Sequence, residues 1–320
     1  MWRGIERFLA VASRILMNIH IKCSSRPFYL DRLLRSIASK CTGVGKIVLL
    51  NDGIAARHIE KLAAGRNFDE RRSARLTSGH PADPGVFWAR EVALEGRNYA
   101  MVLEEDTWVT SPIDLESLER NLTGNRVLMM RMYWHGAEEF TKSAQIQFRT
   151  GNSDGNVLEF YSKVDLKTDL DPYNYFCVAH GVFRADFYSG TLAQAARWDD
   201  EAGILRAAFR FINDAVRRGE KFRFCKSGAE LLRHCTTTTS RADSGGAGVT
   251  CKIDAGMINA ALTEAWEEGS LDVMEGYPLD IPEQAIVNAI EHRLGPESVS
   301  QWRLWRRDYV SMYESMGAKL

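Results

Sequence analysis

The stretch YAMVLEEDTWVT, residues 99–110, runs four apolar residues straight into Glu104, Glu105 and Asp106 before Thr107, Trp108 and Val109 resume. Carboxylates repel one another and favour neither strands nor burial. A cation held at the strand end explains such a triplet. One or two carboxylates can bind Mg²⁺ or Mn²⁺ and leave the other positions to phosphate oxygens and water. Side chains alternate along a strand, so Glu104 and Asp106 share a face and Glu105 points away. Taken alone, the triplet is explained equally well by an exposed acidic turn.

Two further polar segments belong with it. Ser24-Ser25-Arg26-Pro27 follows the β-branched run MNIHIKC, and Asn51-Asp52-Gly53 follows KIVLL. Arg26 is either a phosphate partner or a surface charge. Asp52 either accepts hydrogen bonds from a base or ribose or closes an Asx turn, since Asp-Gly is a routine turn dipeptide.

The elements around these loops explain why the three meet. MNIHIKC (17–23) has strand length. Leu30, Leu33, Leu34 and Ile37 fall at i, i+3, i+4 and i+7, an amphipathic helix with Pro27 in its first turn. KIVLL (46–50) completes a strand–helix–strand unit, the connection that makes parallel pairs. Helices are expected near 54–64 and over VFWAREVALEG, and a buried strand over 99–103. Three parallel strands then end at Cys23, Leu50 and Leu103, and open α/β sheets bind ligands beyond such carboxyl ends. SSRP, NDG and EED therefore converge on one edge.

The later half is less regular. RVLMMRMYW, AQIQF and VLEFYSKVDL predict short strands, AHGVFRADFY turns toward a helix over about 200–218, and KFRFC (221–225) predicts another short strand. HCTTTTSRADSGGAG (234–248) is polar and Gly-rich and predicts a mobile loop or a domain boundary. From residue 251 the pattern is mostly helical. In WRLWRRDYVSMYESM, Trp302, Trp305, Tyr309, Met312 and Met316 share one helical side, which predicts a docked helix. The alternative is an interfacial helix with Arg303, Arg306 and Arg307 toward lipid phosphates.

The whole chain sets limits on these readings. Its 320 residues leave room for a full core, and 45% hydrophobic with 26% charged residues is ordinary globular composition. A net charge of −1 provides no global attraction to nucleic acid or anionic lipid. No stretch approaches the apolar length of a membrane span. Cys23, Cys41, Cys177, Cys225, Cys235 and Cys251 lack CxxC spacing and read as reduced thiols of a cytoplasmic protein. Residues 1–16 carry Ile5, Leu9, Ala12 and Leu16 on one face of an amphipathic segment, either a packed or frayed terminal helix or an interfacial anchor.

At this point the residues resemble a family. The order of strand, SSRP, helix, KIVLLNDG and YAMVLEED is similar to that of GT-A fold glycosyltransferases of the family-2-like group. The resemblance covers about residues 17–236, specifically in its first half and more faintly through HGVFRADFY, WDDEAG, FIND, RRGEKFRFC and RHC. It implies a mixed, mainly parallel sheet flanked by helices, with a catalytic domain over 17–240 and a loop and helical extension over 241–320. It also implies transfer of a sugar from a nucleotide-sugar to a hydroxyl of a carbohydrate or glycolipid, with inversion, in surface polysaccharide or glycoconjugate assembly. Mn²⁺ or Mg²⁺ is the implied cofactor, nucleic acid is not a partner, and the terminal helices allow peripheral membrane contact. The implied donor contacts are Ser24, Arg26, Asp52, Glu104 and Glu105, with Asp106 and His234 on the metal and His180 and Gly181 on the acceptor side. The base falls on Asp214 or Asp200. Asp214 also sits opposite the apolar stripe of Leu205, Ala208, Ile212 and Ala215, where a solvated charge belongs, and Asp200 stands where capping also favours acids. A nucleotidyltransferase is a rival, although SSRP lacks the Gly-rich loop of that class. A non-catalytic sugar- or partner-binding module is another.

Overall fold

The computed structural model describes residues 16–63, 68–72, 88–90, 92–93, 96–134, 146–151, 157–161, 166–168, 172, 175, 180–192, 201–239 and 251–315. All but the last residue of the expected amphipathic segment of residues 1–16 lie outside them, as do Cys177 and Asp200; of the helix expected over VFWAREVALEG, residues 88–90 and 92–93 are described and are helical.

The β-branched run forms β1 (Met17–Cys23), and Pro27 opens α1 (Pro27–Lys40) at a position where its fixed φ suits a helix and no amide donor is lost. There follow β2 (Cys41–Thr42), β3 (Val44–Asn51), α2 (Ala56–Ala63), β4 (Phe68–Arg72), β5 (Tyr99–Glu104), β6 (Thr107–Val109), β7 (Ile113–Asp114) and α3 (Leu115–Gly124). The second half adds β8 (Val127–Trp134), β9 (Ile146–Gly151), β10 (Val157–Tyr161), β11 (Gly181–Arg184), α4 (Ala185–Leu192), α5 (Glu201–Arg217) and β12 (Arg223–His234). Three helices close the described chain: α6 (Ala255–Glu268), α7 (Glu283–Leu294) and α8 (Pro296–Ser315).

The main sheet has the order β4-β3-β1-β5-β11-β8-β12-β10-β9, with β6 paired to β12. β4, β3, β1 and β5 are parallel neighbours, β11 runs antiparallel to both β5 and β8, and β8 and β12 are parallel. This mixed, mainly parallel sheet flanked by helices is the architecture that the GT-A resemblance implies. Period-two alternation sorts the side chains onto two faces. Ile19, Ile21, Met101 and Leu103 join one core with α1 and the C-terminal helices. Val48, Leu50, Ala100 and Val102 join the other with α4 and α5.

β12 departs from the short strand expected at 221–225. It continues for 12 residues to His234, pairing with β8 and β10 and then with β6, where His234 stands opposite Thr107. Register irregularities between Lys226 and Leu232 interrupt the alternation by which a strand is read from sequence.

The C-terminal helices are keyed into the sheet domain. The buried Arg32 guanidinium donates to the carbonyls of Val273 and Leu279 and lies 4.4 Å over the Trp108 ring. Trp108 Nε1 donates to the Pro278 carbonyl at 2.8 Å, and Asp280 accepts from Tyr29, Thr236 and Thr237 hydroxyls. α8 docks through fully buried Trp302 and Trp305, and Trp302 donates to the Thr237 carbonyl. Thr236, Thr237 and Thr238, which begin the expected mobile loop, are buried; residues 240–250 lie outside the described set. Among the described residues no helix is long and apolar enough to cross a membrane.

Candidate active site

The carboxyl ends of β3, β1 and β5 lie side by side, so the three polar loops touch. The Asp52 amide donates to the Cys23 carbonyl at 2.8 Å, and the Glu105 amide to the Lys22 carbonyl at 3.0 Å. A Cβ on Gly53 would stand 2.1 Å from the Ser24 carbonyl oxygen, so only glycine lets the NDG loop rest on SSRP. The Asx turn is made by Asn51, whose Oδ1 accepts from the Gly53 and Ile54 amides. Asp52 is the half-buried neighbour at the same edge.

Arg26, buried just before α1, ties the acidic triplet together. Its Nε and Nη2 donate to Glu105 Oε1 at 3.1 and 3.0 Å, and its Nη1 lies 2.8 Å from Asp106 Oδ2. Ser24 Oγ also donates to Glu105. Glu105 thus turns away from Glu104 into the protein, where burial of an unpaired carboxylate would be costly without the guanidinium. Two histidines complete the cluster. His234 Nε2 stands 3.2 Å from Asp106 Oδ2, and His180 Nε2 stands 3.8 Å from Glu104 Oε2. The two imidazole rings meet edge to face at 5.8 Å. His180 holds a left-handed backbone (φ 57°), unusual for a residue with a Cβ. A Cβ on Gly181 would fall 2.6 Å from Met129 Cε and 2.9 Å from the Met130 carbonyl, so Gly181 lets β11 approach β8.

Charge is balanced but not cancelled here. Burial opposes ionisation of Asp106, yet Arg26, His234 and His180 outweigh it and hold its carboxyl well below the usual range. Burial likewise opposes charge on His234, but the Asp106 carboxylate beside it prevails and raises the imidazole. Burial lowers His180 to about 4 despite Glu104, which leaves a neutral imidazole able to ligate. Asp106 Oδ1 is buried with no hydrogen-bond partner among the described residues. Ligand atoms of Glu104, Asp106 and His180 lie within 4.8 Å of one another, as do those of Asp106, His234 and Cys235. The first set suits a divalent cation with oxygen and nitrogen ligands. The second adds His234 and the Cys235 thiol, which burial and the Asp106 charge push up.

The C-terminal helix reaches this cluster. Trp305 stacks on Tyr309 at 4.8 Å, the Tyr309 and Tyr313 hydroxyls are 3.2 Å apart, and the Tyr313 ring lies 6.0 Å from His234. Sequence reading missed Tyr313 and Cys235. The i, i+4 step from Tyr309 to Tyr313 could have revealed the tyrosine; nothing marked the cysteine. The structure gathers Ser24, Arg26, Asp52, Glu104, Glu105, Asp106, His180, Gly181 and His234 at one edge. It does not bring Asp214 there. That carboxylate is 56% exposed and pairs with Arg217 at 3.2 Å. Just beyond it Glu220 approaches Arg184, which stands opposite Tyr99 at the far end of β5.

Fold and site together define an α/β protein with a mixed, mainly parallel sheet and an acidic, histidine-flanked cluster at the carboxyl edge of its parallel strands. No family model matches the sequence, and no curated protein matches it. Among solved structures the chain is similar to the WbbM bifunctional glycosyltransferase (TM-score 0.40, 17% identity, 62% of this chain and 38% of that one). It is also similar to residues 1–349 of S. aureus TarS (0.41, 10%, 94% and 92%). A third is the glucosyl-3-phosphoglycerate synthase of Mycobacterium tuberculosis in complex with phosphoglyceric acid (0.40, 12%, 81% of each chain). At these TM-scores the chemistry has to be argued from the side chains.

Proposed function

We propose that the protein is a metal-dependent glycosyltransferase that moves a sugar from a nucleotide-sugar to a hydroxyl of a carbohydrate or glycolipid acceptor. The observation that carries this reading is Asp106: an ionised carboxylate at a convergence of strand ends, grouped with Glu104 and His180, with one oxygen buried and without a hydrogen-bond partner among the described residues. Glu104, Asp106 and His180 would hold Mn²⁺ or Mg²⁺, which when bound neutralises charge developing on the departing diphosphate. Arg26 and His234 fix the orientation of Asp106 through its other oxygen, and Asp52 contacts the nucleoside. The acceptor oxygen attacks the anomeric carbon in line as the bond to the diphosphate breaks, which inverts the centre. Its proton passes to a carboxylate.

We assign that base to Asp200 rather than Asp214. Asp214 lies near the end of α5, in solvent and paired with Arg217, whereas the helix begins 13 residues earlier, about 20 Å away. Surface polysaccharide or glycoconjugate assembly in the cytoplasm is the proposed setting, with residues 1–16 as the segment able to touch a membrane.

A thermal-shift screen of nucleotide-sugars with Mn²⁺, followed by donor hydrolysis with and without EDTA, tests the reading. Metal-dependent stabilisation and turnover are expected, and full turnover in EDTA refutes the mechanism. Arg26 and His234 already balance Asp106, which favours a non-catalytic binding module as the second reading. Saturable donor binding without turnover in any metal would identify it.

A further inference from the structure

At the opposite edge of the sheet lies a second concavity. A cleft of about 520 Å³ opens where β5 begins and β11 ends, lined by Arg97, Arg126, Arg184, Lys221 and Tyr99, with Asp186 as the one carboxylate among the described residues of its lining. β5 places five residue steps between Tyr99 and Glu104, so the cleft is roughly 17 Å from the acidic cluster. It cannot be part of the same pocket.

Its charge is one-sided. Arg184 is committed to Asp186 at 2.6 and 2.9 Å, with Glu220 at 3.9 Å. Glu220 in turn accepts from Arg218. Arg126 and Lys221 make no ion pair among the described residues, and Arg97 acts electrostatically on Glu119. The acids therefore answer only part of the positive charge around the cleft. Arg126 follows the end of α3 and is left-handed (φ 56°), as residues that close a helix commonly are; its amide donates to the Thr123 carbonyl and its carbonyl accepts from the Arg223 amide, which fixes its backbone at the cleft.

We infer that this cleft is a second ligand site, taking a phosphate-bearing small molecule. Guanidinium groups pair phosphate oxygens two at a time, and the lysine adds a point charge. A concavity of this volume falls in the range of small-molecule sites, which favours a soluble phosphate compound over the headgroups of a flat lipid surface. The site does not depend on the proposed transferase activity.

Titration calorimetry with inorganic pyrophosphate in EDTA, which removes metal from the carboxylate edge, tests the inference. The full-length protein is expected to bind saturably, and the Asp106→Asn variant equally well. Arg126→Glu combined with Lys221→Glu should weaken binding at least tenfold; both residues are exposed, and unchanged circular dichroism checks the fold. No saturable binding up to about 10 mM overturns the inference. So does binding that the double variant leaves unchanged. Binding to phosphatidylcholine–phosphatidylglycerol vesicles but not to pyrophosphate would also overturn it, in favour of a lipid-facing patch.

Discussion

Replacing Asp106 with Asn keeps the volume of the side chain and removes its charge. The guanidinium of Arg26, 2.8 Å away, and the imidazole of His234, 3.2 Å away, then lose their shared partner in a buried setting. Breaking a buried pair costs about 3–5 kcal/mol, and the low end applies here because Glu105 still accepts from Arg26 at 3.0 Å. About 3 kcal/mol lowers the melting temperature by roughly 4–5 °C if the 320 residues unfold together. The same change removes the negative ligand proposed for the cation, so metal-dependent donor hydrolysis should fall at least ~100-fold, the scale of one lost electrostatic contact in a transition state. The two effects are separable by assaying turnover well below the variant's melting temperature. A pH signature accompanies them. Because Asp106 raises the His234 pKa above its unfolded value, the pair's contribution is full below the unfolded pKa of about 6.5 and fades as pH rises through the folded value. Asp106→Asn should abolish that alkaline loss. Stability lost with turnover kept within about threefold would make Asp106 a structural counter-ion and refute the cation argument. Neither quantity changing would refute the geometry of the cluster.

Burial holds His20 at about 4, so its folded pKa is depressed and the unfolded chain takes up a proton that the folded one refuses. Stability should fall from about pH 6.5 toward 4, by ~2 kcal/mol at pH 5 for this residue; urea midpoints should fall more steeply in wild type than in His20→Leu, and equal slopes would mean that another group is the cause. Asp200→Asn should lower turnover by about 100-fold or more while Asp214→Asn changes it less than about threefold; the reverse order, measured by steady-state hydrolysis, would restore Asp214 as the base. Arg32→Met leaves the carbonyls of Val273 and Leu279 without their donor, so chemical denaturation should show a loss of about 2–4 kcal/mol; an unchanged midpoint would mean that the C-terminal helices dock without it.

Strand and helix in the first hundred residues were legible because each is a local pattern. MNIHIKC and KIVLL have strand length, Leu30 to Ile37 has helical spacing, and Pro27 can only open a helix. Parallel pairing then follows from the crossover, and with it the meeting of Ser24, Arg26, Asp52 and the acidic triplet at one edge. Alternation was read through Asp106, but β5 ends at Glu104 and the chain turns at Glu105 and Asp106, so the two are placed by the turn. Nor could periodicity say what Glu105 meets. That is Arg26, 79 residues earlier in the chain, and its commitment to the triplet is a fact of tertiary packing. The reach of β12 to His234 was hidden by its irregular register, and Cys235 meets Asp106 across 129 residues. The Tyr313 ring on His234 depends on how α8 docks, which Trp302 and Trp305 decide by filling the core between α8 and the sheet. Asp214 shows the converse: its residue type suits a base, but side-chain chemistry acts only within a few ångströms, and the fold puts that carboxylate in solvent beside Arg217. Periodicity is a property of neighbours in sequence, and so it determined the elements and the edge. Which charges neutralise one another inside that edge depends on contacts between segments far apart, and only the packed structure decides them.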